Sequence, residues 1–452
     1  MYTDFVVLAA GKGQRMLGNF PKVLEPLGGK PMVQHLIDTT QEIIHSRSII
    51  VVGEQAEKVK KSLIIPRNTK WSNQKKQLGT GHAVKTAFSK VRPSAIVVVL
   101  YGDVPLVESK TLKSLINTAS NNRLAILTFI KENPKGYGRI LRNSRNQVEA
   151  IVEERDATIQ ERRIKEVNSG ILAIKASKLK KLLPLIKNNN SAKEYYLTDL
   201  VDIAKRAGLR VKPLLLADPE EAQGANTLQE LQELERTYQK RKAQKILELG
   251  VRIADIRRID IRGDLKAEKG AFIDVNSVFE GQVTLGANVK VGPNCYIRDS
   301  EIGKNSVIKA NTVIEDSLIG NECRIGPFSR VRGGTEVESF SELGNFVEAN
   351  RSKVGKSSKA KHLTYLGDAH LGSKVNVGAG TITCNYDGKS KHKTKLSDGV
   401  FVGSNTSLVA PLTLGKDSYT GAGSVITKNV PENSLALGRA RQAPPIKRKR
   451  KK

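Results

Sequence analysis

A glycine-rich turn follows the first apolar segment of the chain and could bind phosphate groups. Residues 6–10 are apolar, and Gly11, Lys12, Gly13 and Arg15 come directly afterwards. Glycines let the backbone approach phosphate oxygens, and the two basic side chains supply positive charge. The turn is neither a dinucleotide-binding fingerprint nor a P-loop, because it lacks the third glycine of the first and the Ser or Thr of the second. A tight turn without a ligand is the alternative at this point.

The first half of the chain alternates short apolar segments with mixed polar segments of helical length. The apolar segments are 6–10, 49–52, 96–100, 124–130 and 170–174. This alternation predicts a Rossmann-like α/β domain, with a parallel sheet covered on both faces by helices. Because ligands of such sheets bind at the carboxyl ends of the strands, the loops after segments 6–10 and 96–100 are the expected site.

The pattern changes twice beyond residue 226. Apolar residues recur mostly at intervals of three and four among polar and charged residues in 227–250, which predicts a long amphipathic linker helix. An aliphatic residue followed by glycine then recurs at spacings of six or near multiples of six. Six residues make one short strand and one turn, so three repeats close a triangular coil. We expect a left-handed parallel β-helix, with the aliphatic residue inside and glycine or asparagine in the turn conformation. The pairs are Leu285-Gly286, Val291-Gly292, Ile302-Gly303, Ile319-Gly320, Ile325-Gly326, Leu343-Gly344, Val354-Gly355, Leu371-Gly372, Val377-Gly378, Val402-Gly403 and Leu414-Gly415.

Composition limits the compartment and the partners. The three cysteines are far apart and lack CxxC spacing, which favours a reducing cytoplasm over a disulfide framework or a zinc site. No segment is long enough to span a membrane, and the first apolar run is too short for a signal peptide. The net charge of +30 could indicate nucleic-acid binding or anionic substrates on a solvated surface. Only residues 447–452 form a dense basic run, and stacking aromatics do not interleave with it, so we expect no nucleic-acid partner.

Further motifs set the glycine-rich turn in a wider pattern. PKVL at 21–24, QLGTGH at 77–82 and YGDVPL at 101–106 follow it in order. Together with the hexapeptide repeat, this order resembles the bacterial bifunctional N-acetylglucosamine-1-phosphate uridylyltransferase/glucosamine-1-phosphate N-acetyltransferase family, over nearly the whole chain. The resemblance implies an enzyme that makes UDP-N-acetylglucosamine for cell-envelope precursors.

The resemblance implies that the N-terminal domain joins UTP to N-acetylglucosamine 1-phosphate and releases pyrophosphate. Arg15 and Lys22 would neutralise phosphate charge, and Asp103 and Asn226 would hold Mg²⁺. The chain departs from the family at Gln14, where Thr is usual, and at Ala225, where Val is usual. Leu8, Ala9, Ala10, Gly11, Lys22 and Asn226 are implied to contact the nucleotide sugar, with Gln74, Gly79 and Thr80 at the uracil and ribose and Tyr101, Gly138, Glu153 and Asn168 at the sugar.

The resemblance also implies that the β-helix transfers an acetyl group from acetyl-CoA to glucosamine 1-phosphate. His362 lies in KHLTYLGD at 361–368 and would be the general base, for which the pKa of histidine is suited. Such β-helices generally form homotrimers with sites between subunits. The implied ligands of the amino sugar phosphate are Arg332, Asn350, Tyr365, Asn376, Asn385 and Tyr386, and those of acetyl-CoA are Ala379, Ser404, Ala422 and Arg439.

One implied ligand departs from the family. Asn350 stands where the family usually has a lysine that helps bind the sugar phosphate. An amide donates hydrogen bonds but has no charge. Arg351 is adjacent but should point to the opposite face, since neighbours on a strand alternate. Weaker binding of glucosamine 1-phosphate is therefore expected, with Arg332 as the main phosphate ligand.

These observations divide the chain into a uridylyltransferase domain at 1–226, a linker helix at 227–250 and an acetyltransferase β-helix at 251–452 with a basic tail at 447–452. One alternative is a pyrophosphorylase whose β-helix only assembles and regulates, which the complete motif around His362 disfavours. The other is a nucleic-acid-binding scaffold.

Overall fold

A computed structural model describes residues 1–11 and 20–445 of the chain. The chain forms two compact units, Met1–Tyr238 and Gln239–Lys452. The predicted site residue Arg15, the departure at Gln14 and the basic tail at 447–452 lie outside the described residues. No helix in the described part is both long and apolar enough to cross a membrane.

The first unit contains a twisted sheet with helices packed on both faces. The strand order is β11-β7-β10-β6-β1-β4-β5, with the β8–β9 hairpin attached to β10. Two apolar clusters lie on opposite faces of the sheet, which explains why its central strands are apolar throughout. The strands are β1 Thr3–Ala9, β2 Pro26–Leu27, β3 Lys30–Pro31, β4 Ser46–Val52, β5 Lys70–Asn73, β6 Ile96–Tyr101, β7 Leu124–Ile130, β8 Arg139–Arg142, β9 Val148–Val152, β10 Glu166–Lys175 and β11 Val211–Leu215, and the helices are α1 Met32–Gln41, α2 Ala56–Lys61, α3 Thr80–Phe88, α4 Ser109–Ser120, α5 Ala176–Leu182 and α6 Leu200–Arg206.

The α/β fold is confirmed, but the expectation that the sheet is parallel throughout is wrong for β10. This strand pairs antiparallel with both β6 and β7, while β1, β4, β5 and β6 are mutually parallel. After β7 the chain passes through the β8–β9 hairpin and then returns between β7 and β6 in the opposite direction. A continuous apolar segment indicates that a strand is buried on both faces, but it does not indicate the direction of the strand.

Helix α7, Leu228–Glu248, includes residues of both units. Within the first unit, Leu234 packs against Leu27, Met32 and Leu106. Within the second, Ala243 and Ile246 belong to the core of the β-helix. The predicted amphipathic pattern thus corresponds to one helix with two different apolar neighbourhoods.

The second unit is a left-handed parallel β-helix, as predicted. Its short strands form three parallel ladders, and the aliphatic residue of every repeat pair is buried. These residues stack in one continuous core. Its strands are β12 Arg252–Ile253, β13 Ile259–Ala267, β14 Phe272–Ile273, β15 Ser277–Leu285, β16 Lys290–Val291, β17 Tyr296–Ile302, β18 Val307–Ile308, β19 Val313–Glu315, β20 Leu318–Ile319, β21 Arg324–Ile325, β22 Arg330–Arg332, β23 Glu336–Val337, β24 Glu342–Asn345, β25 Glu348–Asn350, β26 Lys353–Val354, β27 Lys359–His362, β28 Tyr365–Gly367, β29 Ala369–Leu371, β30 Asn376–Val377, β31 Ile382–Cys384, β32 Thr394–Leu396, β33 Phe401–Val402, β34 Ser407–Val409, β35 Leu412–Leu414, β36 Tyr419–Thr420, β37 Val425–Ile426 and β38 Leu435–Ala436.

The expected role of the repeat glycines is wrong. Apart from Gly326, the glycines of the repeat pairs do not have a positive φ, whereas asparagines such as Asn294 and Asn311 do. The glycines are needed for space, because a Cβ added to Gly344 would lie 2.0 Å from the carbonyl oxygen of Lys361 in the next coil. Asparagine and other residues outside the repeat pairs therefore make most of the left-handed turns, and the repeat glycines allow the backbones of successive coils to approach.

Candidate active sites

A cavity of about 650 Å³ opens in the first unit at the carboxyl ends of β1, β5 and β6. Ala9 does not line it, because its side chain is buried in the core under the sheet. The cavity is at the edge of the sheet that the sequence predicts. The predicted residues that line it are Leu8, Ala10, Gly11, Lys22, Gln74, Gly79, Thr80, Tyr101, Asp103 and Asn226.

The ammonium of Lys22 lies between two side-chain oxygens in this cavity. It forms an ion pair with the Asp103 carboxylate and donates a hydrogen bond of 2.8 Å to Asn226 Oδ1. Gly224 allows the segment before α7 to pack here, since an added Cβ would lie 3.1 Å from the Asp103 carbonyl oxygen. Two residues that are distant in sequence thus direct their oxygens at one cation.

This oxygen pair fits a divalent cation. Carboxylate and amide oxygens are ligands that hard divalent ions accept. The described residues contain no group of three or more His, Cys, Asp or Glu that could hold a metal ion. Asp103 and Asn226 would therefore supply part of a coordination shell, and phosphate oxygens and water would complete it.

Gln74 and Gly79 are held close to each other at the rim of α3. The Gln74 carboxamide donates to the Gly79 carbonyl over 3.1 Å, and its nitrogen lies 3.0 Å from His82 Nδ1. Gly79 has φ +102, and a Cβ there would lie 2.7 Å from the Tyr195 carbonyl oxygen. Only glycine fits this position, where the turn packs against the Tyr195 backbone at the wall of the cavity.

The predicted sugar-binding residues form a group beside the cavity. Asn168 N donates to the Gly138 carbonyl over 2.9 Å, and a Cβ on Gly138 would lie 3.5 Å from a Glu153 carboxylate oxygen. Burial raises the pKa of Glu153, although the Thr198 hydroxyl donates to it over 2.9 Å. Burial, and then the Glu153 charge, raise the pKa of Tyr101. Tyr101, Glu153 and Asn168 are thus half-buried, and Gly138 is buried.

Some lining residues were not predicted. Gln77 donates from its side-chain amide to the Ala10 carbonyl, and Val23, Ala83, Arg155 and Glu194 also line the cavity. Gln77 belongs to the QLGTGH motif, so its position in that motif was an available signal. Arg155 and Glu194 lie in ordinary polar segments and could not have been selected from the sequence.

Four predicted residues of the β-helix occupy one position in successive coils. Ala360, Val377, Val402 and Thr420 are paired in one ladder. The residues two places further along, His362, Ala379, Ser404 and Ala422, therefore lie in a column at one corner. Strand spacing of about 4.8 Å places the ends of this column about 14 Å apart. We call these four residues the corner column.

The adjacent face of the β-helix contains most of the predicted ligands of the amino sugar phosphate. Arg332 pairs with Asn350 in the ladder, and Asn350 with Gly367. Tyr365 begins the strand that Gly367 ends, and the tyrosine hydroxyl lies 2.6 Å from where a Gly367 Cβ would be. The three-residue strand spans about 7 Å.

The remaining predicted residues lie around this face. Asn385 directly follows β31, while Asn376 lies in β30, on the ladder that precedes the corner column. Tyr386 is exposed and donates to the Gly388 carbonyl over 2.7 Å. Arg439 is exposed near the last strand. The structure therefore gathers Arg332, Asn350 and Tyr365 on one face and places Asn385 at the end of that face, with Asn376, Tyr386 and Arg439 outside it.

The neighbourhood of Asn350 differs from a simple alternating strand. Asn350 is 3% exposed, and its Oδ1 has no hydrogen-bond partner among the described residues. Arg351 has φ +52 and forms a two-point ion pair with Asp368, at 2.8 and 2.9 Å. Arg332 pairs with Glu348 at 2.7 Å.

The α/β domain has a cavity at the carboxyl ends of its strands, and the hexapeptide β-helix has the corner column that begins at His362. This combination is consistent with a sugar nucleotidyltransferase joined to an acyltransferase. Residues 5–248 match the family model of the MobA-like NTP transferase domain, and residues 261–396 match that of the GMPPB C-terminal domain.

Comparison of whole chains identifies the family. The bifunctional protein GlmU of Marinobacter nauticus is 48% identical over 437 residues, which cover 97% of this chain and 96% of the relative. The bifunctional protein GlmU of Neisseria meningitidis serogroup B is 47% identical over 439 residues, with the same coverage. The chain belongs to the family of bifunctional GlmU proteins. The resemblance found in the sequence is thereby confirmed, and with it a bifunctional enzyme of UDP-N-acetylglucosamine synthesis that acts with a divalent metal.

Proposed function

We propose that the two activities are divided between 1–226 and 251–452, with 227–250 as the linker. The β-helix acetylates glucosamine 1-phosphate from acetyl-CoA. The N-terminal domain then joins the product to UTP and releases pyrophosphate. The observation that best supports this proposal is the corner column. A β-helix that served only for assembly would not need a histidine aligned with three residues that are implied to bind acetyl-CoA.

In the N-terminal domain, a phosphate oxygen of N-acetylglucosamine 1-phosphate attacks the α-phosphorus of UTP in line with the leaving pyrophosphate. Such transfer depends on positioning and charge neutralisation. Lys22, with Arg15, neutralises charge on the phosphates, and Gln74 and Gly79 orient the base. Asp103 and Asn226 would hold Mg²⁺, which would supply further neutralisation of phosphate charge when bound.

The sugar is held by the group that contains Glu153. Its half-buried carboxylate accepts hydrogen bonds from sugar hydroxyls, and the Asn168 side chain and Gly138 backbone face the acetamido group. The partial burial of Glu153 supports the assignment, since hydrogen bonds to a carboxylate are stronger where water is scarce. Tyr101 connects this group to the nucleotide cavity.

In the β-helix, His362 accepts a proton as the amine of glucosamine 1-phosphate attacks the thioester carbon. A carbon–nitrogen bond forms, the carbon–sulfur bond breaks, and the departing CoA thiolate takes up a proton. The exposed position of His362 at the head of the corner column supports this role. The acetyl-CoA chain follows Ala379, Ser404 and Ala422 towards Arg439, and Arg332 binds the phosphate of the acceptor.

We further propose that the chain acts as a cytoplasmic homotrimer. Phe328, Phe346 and Leu363 occupy one corner position in consecutive coils, with φ of +56, +55 and +49, and are 50%, 57% and 62% exposed. A left-handed conformation costs a side chain of this kind about 1–2 kcal/mol. Bulky apolar residues at a position that suits asparagine or glycine support burial against another copy of the chain.

Two substitutions test the division of activities. Asp103→Ala should abolish formation of UDP-N-acetylglucosamine and leave acetyl transfer within about twofold, because the oxygen that holds the metal is lost. His362→Ala should have the opposite effect. Separate assays would follow pyrophosphate release and acetyl-CoA consumption. Loss of both activities in either variant would refute the division.

A further inference from the structure

We propose that Arg351 and Asp368 are positioning residues of the acetyltransferase site. They hold the carboxamide of Asn385 so that its oxygen is free to accept a hydrogen bond from the amino sugar. This inference rests on the proposed acetyltransferase function of the β-helix.

The first link is the ion pair between Arg351 and Asp368. Asn350 pairs with Gly367 in the ladder, so the residues that follow them lie at the same corner of neighbouring coils. Arg351 Nε donates to Asp368 Oδ1 over 2.8 Å, and a terminal nitrogen donates to Oδ2 over 2.9 Å. Two parallel hydrogen bonds fix the plane of the carboxylate as well as its position.

The second link connects Asp368 to Asn385 in the next coil. Asn385 Nδ2 donates to Asp368 Oδ2, and the asparagine is 7% exposed. Gly367 provides the space, because a Cβ there would lie 2.7 Å from Asn385 Nδ2. The hydrogen bonds from Arg351 and Asn385 lower the pKa of Asp368, so the carboxylate stays ionised at neutral pH.

An ionised carboxylate determines which way the amide faces. It can only accept hydrogen bonds, so the nitrogen of Asn385 must point to Asp368 and the oxygen must point away. That oxygen can accept from an amine or a hydroxyl, but it cannot bind a phosphate. Asn385 is thereby assigned to donor groups of the sugar, and the phosphate is left to Arg332.

A similar ion pair offers a matched control on the same β-helix. Arg298 donates to Asp316 over 3.1 Å, and Asp316, like Asp368, lies at a turn with positive φ after a strand of this face. The carboxylate of Asp316 has no predicted substrate ligand among its described hydrogen-bond partners. If these ion pairs only stabilise the fold, loss of either pair should have the same effect. Only Asp368 also holds the side chain of Asn385, so only its loss should change substrate binding.

The test compares Asp368→Asn with Asp316→Asn in the full-length chain. Asp368→Asn should raise the KM for glucosamine 1-phosphate about tenfold, the effect of one charge-assisted hydrogen bond. The KM for acetyl-CoA and uridylyl transfer should stay within twofold. Asp316→Asn should leave all three unchanged. Arg351→Gln should act in the same direction as Asp368→Asn, and Arg351→Lys should recover part of the loss.

Three results would overturn the inference. One is an unchanged KM for glucosamine 1-phosphate in both Asp368→Asn and Arg351→Gln. Another is an equal rise of both KM values, which would indicate general disorder of the face. The third is the same effect in Asp316→Asn. Failure of the proposed function is distinguishable, because the unaltered chain would then consume no acetyl-CoA with glucosamine 1-phosphate.

Discussion

Asn350→Lys offers a direct test of how the chain binds the amino sugar phosphate. The substitution places an ammonium next to Arg332, whose guanidinium is already paired with Glu348. One charge-assisted contact contributes about 1.5–3 kcal/mol, and about 1.4 kcal/mol corresponds to a factor of ten. The KM for glucosamine 1-phosphate should therefore fall by roughly 10- to 100-fold.

Asn350→Lys has two further effects on folding stability, and these nearly cancel. Asn350 Oδ1 is buried without a partner, so its removal gives back about 1–3 kcal/mol. The longer side chain must pass Gly333, whose Cβ position lies 2.6 Å from that oxygen, and such crowding costs about 1–3 kcal/mol. Folding stability should change little, and the gain in binding should appear almost undiminished.

The assay is the initial rate of acetyl-CoA consumption at varied glucosamine 1-phosphate. Asn350→Met is the matched control, because it removes the unpaired oxygen without adding charge and should therefore not lower the KM for glucosamine 1-phosphate. The KM for acetyl-CoA should be the same in all three chains, and the advantage of lysine should shrink at high salt. An unchanged KM in Asn350→Lys, with Arg351→Ala disabling sugar binding, would mean that Arg351 already supplies the missing charge.

Other predictions follow from the first unit. A fragment ending between residues 226 and 250 should release pyrophosphate and be monomeric, and a trimer by light scattering would contradict the proposed assembly surface. Glu153→Gln should raise the melting temperature at pH 8, because burial raises the pKa of Glu153 and its ionised form costs stability above that pKa. The gain should vanish as the pH falls and native Glu153 takes up its proton; a gain independent of pH would refute this. Lys22→Met should bind Mn²⁺ about tenfold more tightly in the absence of substrates, since the competing ammonium is gone; calorimetry that shows equal or weaker binding would count against it.

The β-helix was predictable because the spacing of its aliphatic residues determines which positions of each coil face the core. Each aliphatic residue before a repeat glycine is buried, as the six-residue spacing requires. The reversed direction of β10 was not predictable, since burial on both faces gives the same apolar run for either direction. The steric role of the repeat glycines was not predictable either, because it depends on the distance between successive coils, which the sequence of one coil does not give.

The sequence identified individual candidate site residues but not their arrangement in space. The resemblance supplied His362, Ala379 and Ser404, but their common corner depends on ladder pairing. A loop between β31 and β32 makes their spacing in the sequence uneven, which hides the column. The pairing of Arg351 with Asp368 was not predicted, because strand alternation does not apply to Arg351, which follows the end of β25 and has a positive φ.

The corner column extends along the axis of a molecule in which each coil contacts chiefly the coils beside it. Stability in such arrays is approximately a sum over neighbouring coils, and unfolding can begin at an end. The coil of Ala422 is nearer the carboxyl end than that of His362, so fraying from that end would remove the proposed acetyl-CoA site before the proposed general base. Amide hydrogen exchange should increase in that order along the column, and acetyl transfer should be lost on warming before the acceptor face opens.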